Sequence, residues 1–371
     1  MTVRGARRRL SLVLSRKRER TFLPLAASLL IAGCSVPETN VPPAGTIADI
    51  QRVARTQPPI VPELASKEMV TADGARLPLR SWIPEGEVRA AIVALHGMND
   101  YSRAFEEPAK ALAWRGIATY AYDQRGFGEA PWRGLWVGRK ALAEDLATAT
   151  RLVKARHPGV PLYCLGESMG GAVVIVAVAG ETGAEKPLCD GVILSAPAVW
   201  GRATQPFLPR VALAIGVRLF PQAAMTGRGL QIKASDNIAM LRELGRDPLV
   251  IKGAKVGTLY GLADLMDAAL ASTSRIDVPT LYLYGNRDEI VPKNATRRAI
   301  AQMHREPGLG PRVAWYVNGY HLLLRDLEAG VVVNDIASWV FDPAAPLPSA
   351  ADGVAGVMLE AHLNEGRPRG G

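Results

Sequence analysis

The sequence predicts an α/β architecture, a mostly parallel central sheet with helices on both faces and a helical segment inserted into it. Three observations carry this. Short apolar runs recur along the chain, helical patterns lie between them, and one long interval lacks runs of this kind. A continuous apolar run suits a strand buried on both faces, which is the condition inside a parallel sheet. Strands alternating with helices make the crossovers such a sheet needs.

The elements follow in order. Residues 67–83 alternate in polarity around Asp73-Gly74, which reads as a β-hairpin. Apolar runs then occupy Ala90–Leu95 before His96-Gly97, Ala118–Tyr122 before Asp123, and Pro161–Leu165 before Gly166. Val192–Leu194 precedes Ser195-Ala196-Pro197, Thr280–Tyr284 precedes Gly285, and Val313–Val317 precedes Asn318-Gly319. Helical patterns cover Arg103–Trp114, Arg139–Ala155, Gly171–Ala179 and Asn294–His304, with a final helix at Val331–Phe341. Residues 200–275 hold several helical stretches and no convincing strand, too long an interval for a plain crossover. They read as an inserted helical cap, between core segments 66–199 and 276–342. Within it, the apolar stretch Gln205–Phe220 is expected to be buried cap core in preference to a lipid-facing entrance. From residue 343 to 371, Pro, Ala and Gly dominate, and a disordered tail is expected.

A chain of 371 residues, 48% hydrophobic and 21% charged, is globular and can bury a substantial core. Its net charge of +9 would suggest an anionic partner, but the excess is local. Residues 1–33 carry eight bases against the single acid Glu19, whereas residues 34–371 carry 36 bases against 34 acids. With no zinc-finger spacing and no basic helix, a nucleic-acid partner is not expected.

The basic leader reads as a targeting signal. An apolar run from Thr21 to Ile31, too short to span a bilayer, follows the basic stretch. It ends in Leu30-Ile31-Ala32-Gly33-Cys34-Ser35, which resembles a bacterial lipoprotein lipobox. The resemblance implies removal of residues 1–33 and acylation of Cys34, with Pro-rich residues 34–65 as a tether. Ser35, by the same resemblance, implies the outer membrane, facing the periplasm. Cys164 and Cys189 sit in or beside apolar runs and read as buried thiols in preference to a disulfide. Nothing suggests a metal site or a cofactor.

The chemistry centres on Gly166-Glu167-Ser168-Met169-Gly170. A serine is a weak nucleophile until a base takes its proton. A Gly-x-Ser-x-Gly turn from strand to helix presents the hydroxyl on a strained residue, and needs small neighbours to make the turn. Here a strand precedes it and Gly171-Ala172-Val173-Val174 opens a helix. Two backbone N–H groups must face the developing oxyanion; Met169 and Met98, after the Ala90–Leu95 strand, are the candidates. The acid follows in Gly285-Asn286-Arg287-Asp288-Glu289, with Asp288 preferred over Glu289. Of the five histidines, His321 in Gly319-Tyr320-His321 stands where the base belongs, after the last strand. His96 reads as a residue that shapes its loop.

With these residues placed, the sequence resembles the monoacylglycerol lipase and lysophospholipase group of α/β-hydrolases, which includes serine aminopeptidases of the S33 type. Leu95-His96-Gly97-Met98, Tyr122-Asp123-Gln124-Arg125-Gly126-Phe127-Gly128, Gly166 to Gly171, Gly285 to Asp288 and Gly319-Tyr320-His321 carry the resemblance, over roughly residues 66 to 342. It implies the α/β-hydrolase fold, with Asp123 to Gly126 as a structural turn where Gln124 replaces the usual His. It also implies hydrolysis of acyl esters such as monoacylglycerols or lysophospholipids, with no cofactor. By analogy of fold, Tyr260, Leu262, Leu265 and Met266 are candidates to line an acyl pocket. Two other readings stand beside it. An aminopeptidase would need an acidic cluster for a substrate amine, for which the cap offers Asp264 and Asp267. A non-catalytic envelope lipoprotein would use the fold as a binding module.

Overall fold

In the computed structural model the described residues are 60–227, 231–303 and 310–365, with side chains to Leu359. The leader, Cys34 and the tether up to residue 59 lie outside them, so the lipoprotein expectation does too.

The hairpin forms as β2 (Glu68–Val70) and β3 (Arg76–Trp82), preceded by a short β1 (Glu63–Leu64). The end of the expected tether is therefore already part of the sheet, with Leu64 buried in the core. The core continues through β4 (Ala90–Leu95), α1 (Glu106–Ala113), β5 (Ile117–Tyr122), α2 (Arg139–Arg156), β6 (Leu162–Glu167), α3 (Met169–Val178) and β7 (Gly191–Ser195). The interval after it contains α4 (Phe207–Leu219), β8 (Ala224–Met225), α5 (Ile238–Arg246), β9 (Ala254–Lys255) and α6 (Val256–Ser272). β10 (Thr280–Gly285), α7 (Lys293–Gln302), β11 (Arg312–Tyr316), α8 (Ala329–Phe341) and α9 (Ala351–Glu365) complete the order.

Among the described residues, nine strands form one sheet in the order β1-β2-β3-β5-β4-β6-β7-β10-β11. β1, β2, β3 and β5 pair antiparallel, and every pairing from β5 onward to β11 is parallel. Strands β4, β5, β6, β7 and β10 are buried at every residue, which is why they read as unbroken apolar runs. Two apolar clusters, one on each face, cover the sheet; α3 lies in one, and all ten of its residues are buried. The parallel strands all deliver their carboxyl ends to one edge, where an open α/β sheet builds its site.

Three expectations need correction. The interval 200–275 is mostly helical but contains β8 and β9, which pair as a two-stranded ribbon too short to read from sequence. The apolar helix α4 has no buried residue: Phe207 is 70% and Leu208 77% exposed. Its apolar character is nearly all-round, so periodicity could not separate a buried helix from one facing outward. The tail is not disordered throughout. Residues 351–365 form α9, which buries Ala355 and packs Val354, Met358 and Leu359 against the core, while Asp352 binds Arg312 at 2.9 Å. Alanine and glycine masked a short apolar face.

A buried ion network ties the hairpin to the core. Arg125 holds Asp145 of α2 at 2.7 Å and Asp73 of the hairpin turn at 2.6 Å. Burial raises the Asp145 carboxyl to about 6 despite the Arg125 charge beside it. Asp73, at the more open end, is held down at about 2; its partial burial is outweighed by hydrogen bonds from Arg125 and Thr71.

Candidate active site

Ser168 sits between β6 and α3 with φ 53° and ψ −114°, a backbone conformation that a non-glycine residue adopts only under constraint. Its neighbours show what permits it. A Cβ on Gly166 would stand 2.5 Å from the backbone of Gly170, and one on Gly171 would stand 2.8 Å from Pro197. A Cβ on Gly170 would collide with the carbonyl of Leu95. The glycines therefore let the turn close on itself and against β4. Ser168 is half-buried while Glu167 and Met169 are buried, so of these three residues Ser168 is the one that reaches solvent.

The loop after β4 passes beside it. Leu95 pairs with Gly166 across the sheet, and a Cβ on Gly97 would be 3.4 Å from the Ser168 Cβ. Among the described residues the backbone N–H groups of Met98 and Met169 donate to no protein acceptor, which leaves both free for a ligand oxygen. The loop is fixed from beneath. The Gln124 backbone N–H donates to His96 Nε2 at 3.0 Å, and its side-chain amide donates to the His96 carbonyl at 2.8 Å. Nε2 is thus the acceptor, and Nδ1 carries the proton to the Gly97 carbonyl at 2.8 Å. His96 is wholly buried and shapes the loop, as expected from the sequence; Gln124 completes that support in place of a histidine. Asp123 contributes too, accepting from Ser102 N–H at 2.9 Å and Oγ at 2.6 Å.

The candidate acid and the candidate base meet. His321 Nδ1 lies 2.8 Å from Asp288 Oδ2, and both side chains are buried. The other carboxylate oxygen, Oδ1, accepts from the N–H groups of Ile290 at 2.7 Å and Val291 at 2.9 Å. Asp288 is thereby oriented, Nδ1 donates to it, and Nε2 is left with its lone pair. The loops bearing the two are laced by backbone: Asn286 N–H donates to Tyr316 O and Arg287 N–H to Gly319 O, each at 2.8 Å. Burial disfavours the imidazolium, but the charge of Asp288 and its hydrogen bond outweigh that, with Glu167 adding and Arg325 opposing. The net effect raises His321 above its ordinary pKa of 6.5. Glu289 turns away, its carboxylate accepting from Lys233 N–H at 2.8 Å. The Ser168 hydroxyl makes no hydrogen bond among the described residues; the Glu167 carboxylate preceding it lies within electrostatic reach of His321.

The candidate pocket residues separate. Leu262 and Met266 are partly buried on α6 and pack against the core. Leu265 is 0% exposed and so lines no open space. Tyr260 is covered by Arg202, whose guanidinium carbon lies 4.7 Å from the ring centroid. Leu265 is therefore core and its assignment is corrected, whereas Tyr260 is half-buried with one ring face against Arg202. The same Arg202 neutralises Asp264 at 2.7 Å and Asp267 at 2.6 Å.

Sequence reasoning missed Arg325. It sits four residues beyond His321, and its buried guanidinium reaches Asp100 and Glu167, each at 2.7 Å. The only signal was a lone arginine amid leucines, Leu322-Leu323-Leu324-Arg325. A cavity of about 390 Å³ lies beside it, walled by Tyr101, Met240, Leu244, Asp247 and Leu324. The segment after β7 also hydrogen-bonds into these loops. Ile251 N–H donates to Asn99 O at 2.9 Å, and Leu322 N–H donates to Ala234 O at 3.0 Å.

The chain has relatives among known proteins over most of its length. The family model described as serine aminopeptidase, S33, matches residues 86–328. The chain is 27% identical to a monoglyceride lipase of Rattus norvegicus, over 77% of this chain and 93% of the rat chain. It is 25% identical to a monoacylglycerol lipase of Mycolicibacterium smegmatis, over 72% of this chain and 93% of that one. Among solved structures it resembles a monoacylglycerol lipase of Paleococcus ferrophilus, with TM-score 0.60 and 21% identity over 71% of this chain and 98% of that one.

Proposed function

Since the chain belongs to the serine aminopeptidase, S33, family and has the α/β-hydrolase fold, we propose that it is a serine hydrolase that cleaves carboxylic esters of acyl lipids. The observation that carries the reading is the buried His321–Asp288 pair, 2.8 Å apart, with Arg325, four residues past His321, bonded to Glu167, the residue before the strained Ser168.

In this reading His321 Nε2 takes the Ser168 proton as the oxygen attacks the ester carbonyl. The Met98 and Met169 N–H groups receive the oxyanion. Collapse expels the alcohol, which takes the proton from His321, and leaves an acyl group on Ser168. Water then gives a proton to His321 as it attacks the acyl carbonyl, and the second collapse releases the carboxylic acid while His321 returns that proton to the Ser168 oxygen.

Two observations favour a lipid ester over an aminoacyl peptide. The acids that could receive a substrate amine, Asp264 and Asp267, are already paired with Arg202. The exposed helix α4 presents Phe207, Leu208, Ile215 and Leu219 with Arg210 and Arg218 and no acid, a composition suited to a lipid surface. The named substrates of the monoglyceride lipases it resembles point the same way. Residues 1–33 as a signal and Cys34 as an acylated anchor would keep the enzyme at the bacterial envelope, beside its substrate. No cofactor enters the reaction.

A fluorophosphonate probe tests the enzyme class: labelling at Ser168, lost on Ser168→Ala, is expected. An unlabelled, folded protein would favour the non-catalytic lipoprotein. p-Nitrophenyl esters of graded chain length against aminoacyl-naphthylamides test the substrate; turnover of the amides alone overturns the lipid reading. Cys34→Ser tests the anchor, and unchanged membrane partition would remove it.

A further inference from the structure

The geometry points to Arg325 as a positioning residue that holds the nucleophile turn, the oxyanion loop and the histidine loop in register through one guanidinium. The inference rests on the hydrolase reading and extends it to a residue that touches neither substrate nor the reacting atoms.

Three separate segments meet at this side chain. Asp100 lies two residues beyond Met98, in the loop where a Cβ on Gly97 would stand 3.4 Å from the Ser168 Cβ. Glu167 immediately precedes Ser168. Arg325 itself ends the short turn that begins after His321. Its Nη1 donates to Asp100 Oδ2 and its Nη2 to Glu167 Oε1, both at 2.7 Å. The Arg325 side chain is 9% exposed, that of Asp100 11% and that of Glu167 1%. A planar guanidinium directing two fixed donors at two carboxylates sets the distance between them, which a flexible ammonium would not do. The loops are pinned at their other ends as well. Asp100 Oδ1 accepts from Tyr101 N–H at 2.9 Å, and the Arg325 carbonyl accepts from Asn237 Nδ2 at 3.1 Å.

The clamp also sets the charge around the base. The charged groups acting most on His321 are Asp288, Glu167 and Arg325. Glu167 favours the imidazolium and Arg325 opposes it, so the guanidinium offsets part of the negative charge that Glu167 and Asp100 bring beside the site. Removing one member should therefore move the base in a direction set by which charge is lost. A residue that only supported the fold would not produce shifts of opposite sign.

The test uses the full chain and a soluble p-nitrophenyl ester, with unfolding temperature and circular dichroism as checks of folding. The wild type is expected to label at Ser168 with a fluorophosphonate; if it neither labels nor turns over ester, the hydrolase reading itself has failed. Given an active wild type, Arg325→Met is expected to lower kcat about tenfold to a hundredfold with little change in KM, the scale of an ångström-sized misplacement. Its acid limb should move to higher pH. Arg325→Lys, which keeps the charge and loses the fork, should restore the acid limb but only part of kcat. Glu167→Gln should move the acid limb to lower pH. Because Arg325→Met leaves two buried carboxylates unpaired and can unfold, the milder Arg325→Lys and Glu167→Gln carry the test alone if it does. An Arg325→Lys variant with wild-type kcat overturns the clamp. So does a Glu167→Gln acid limb that stays in place or moves upward.

Discussion

Asp288→Asn is the sharpest perturbation of the proposed chemistry, because the surroundings dictate how asparagine must sit. Oδ1 of Asp288 accepts two backbone N–H groups, from Ile290 at 2.7 Å and Val291 at 2.9 Å. An asparagine must place its oxygen there, since an amide NH₂ would face two donors. Its NH₂ then falls where Oδ2 now lies, 2.8 Å from His321 Nδ1. Nδ1 must become the acceptor, and the proton moves to Nε2. That is the wrong tautomer for taking a proton from Ser168. Such a change in a serine triad lowers kcat by about 10⁴, equivalent to about 5.5 kcal/mol of transition-state stabilisation. The side chains are isosteric, so KM and unfolding temperature should change little. The assay is steady-state hydrolysis of a p-nitrophenyl ester from pH 6 to 9, with Glu289→Gln as the control expected to stay within about twofold, because Glu289 faces Lys233 instead. An Asp288→Asn enzyme within tenfold of wild type across that range refutes the reasoning.

Three further outcomes are expected. His321 must be neutral to act as base, and its pKa is raised, so kcat/KM should rise with pH through a midpoint above 6.5, measurable from the acid limb of the profile. Arg125→Met should destabilise the fold by about 3–5 kcal/mol at neutral pH, because Asp145 is left buried without its partner. Asp145 already titrates at about 6, above its unfolded value, so the native state binds more protons than the unfolded state in that window; chemical denaturation should show the penalty shrinking as pH falls. Phe207→Glu with Leu208→Glu should lower turnover of vesicle-borne monoacylglycerol at least tenfold, on the order of one lost buried side chain, while a soluble short-chain ester is hydrolysed as before.

The parts of the fold legible in the sequence were those with one physical signature. Strands β4, β6 and β10 are buried on both faces, so they appear as apolar runs ending in the loops that hold Met98, Ser168 and Asp288. Ser168, Asp288 and His321 could be proposed because a triad constrains residue type, order and position after a strand, and of these the structure joins Asp288 to His321. The less legible parts depend on contacts between distant segments. The burial of Leu265 and the covering of Tyr260 depend on which face α6 turns inward and on Arg202, fifty-eight residues earlier than Tyr260 in the chain. Arg325 depends on Asp100 and Glu167, which no local pattern links to it. Helix α9 is alanine- and glycine-rich, and its composition gave no warning that Ala355 would be buried in the core.

The reactive groups are held by two different kinds of support. Ser168 is rooted in α3, which lies wholly inside the protein, and it should keep its shape for as long as the molecule is folded. The Met98 loop and the His321 loop each lend a backbone group to the segment between β7 and β10: Asn99 O to Ile251 N–H, and Leu322 N–H to Ala234 O. Any outward swing of that segment must break these bonds. The segment between β7 and β10 is thus a second tie between the Met98 and His321 loops, beside Arg325, and a substitution that loosens it would be felt at both loops together.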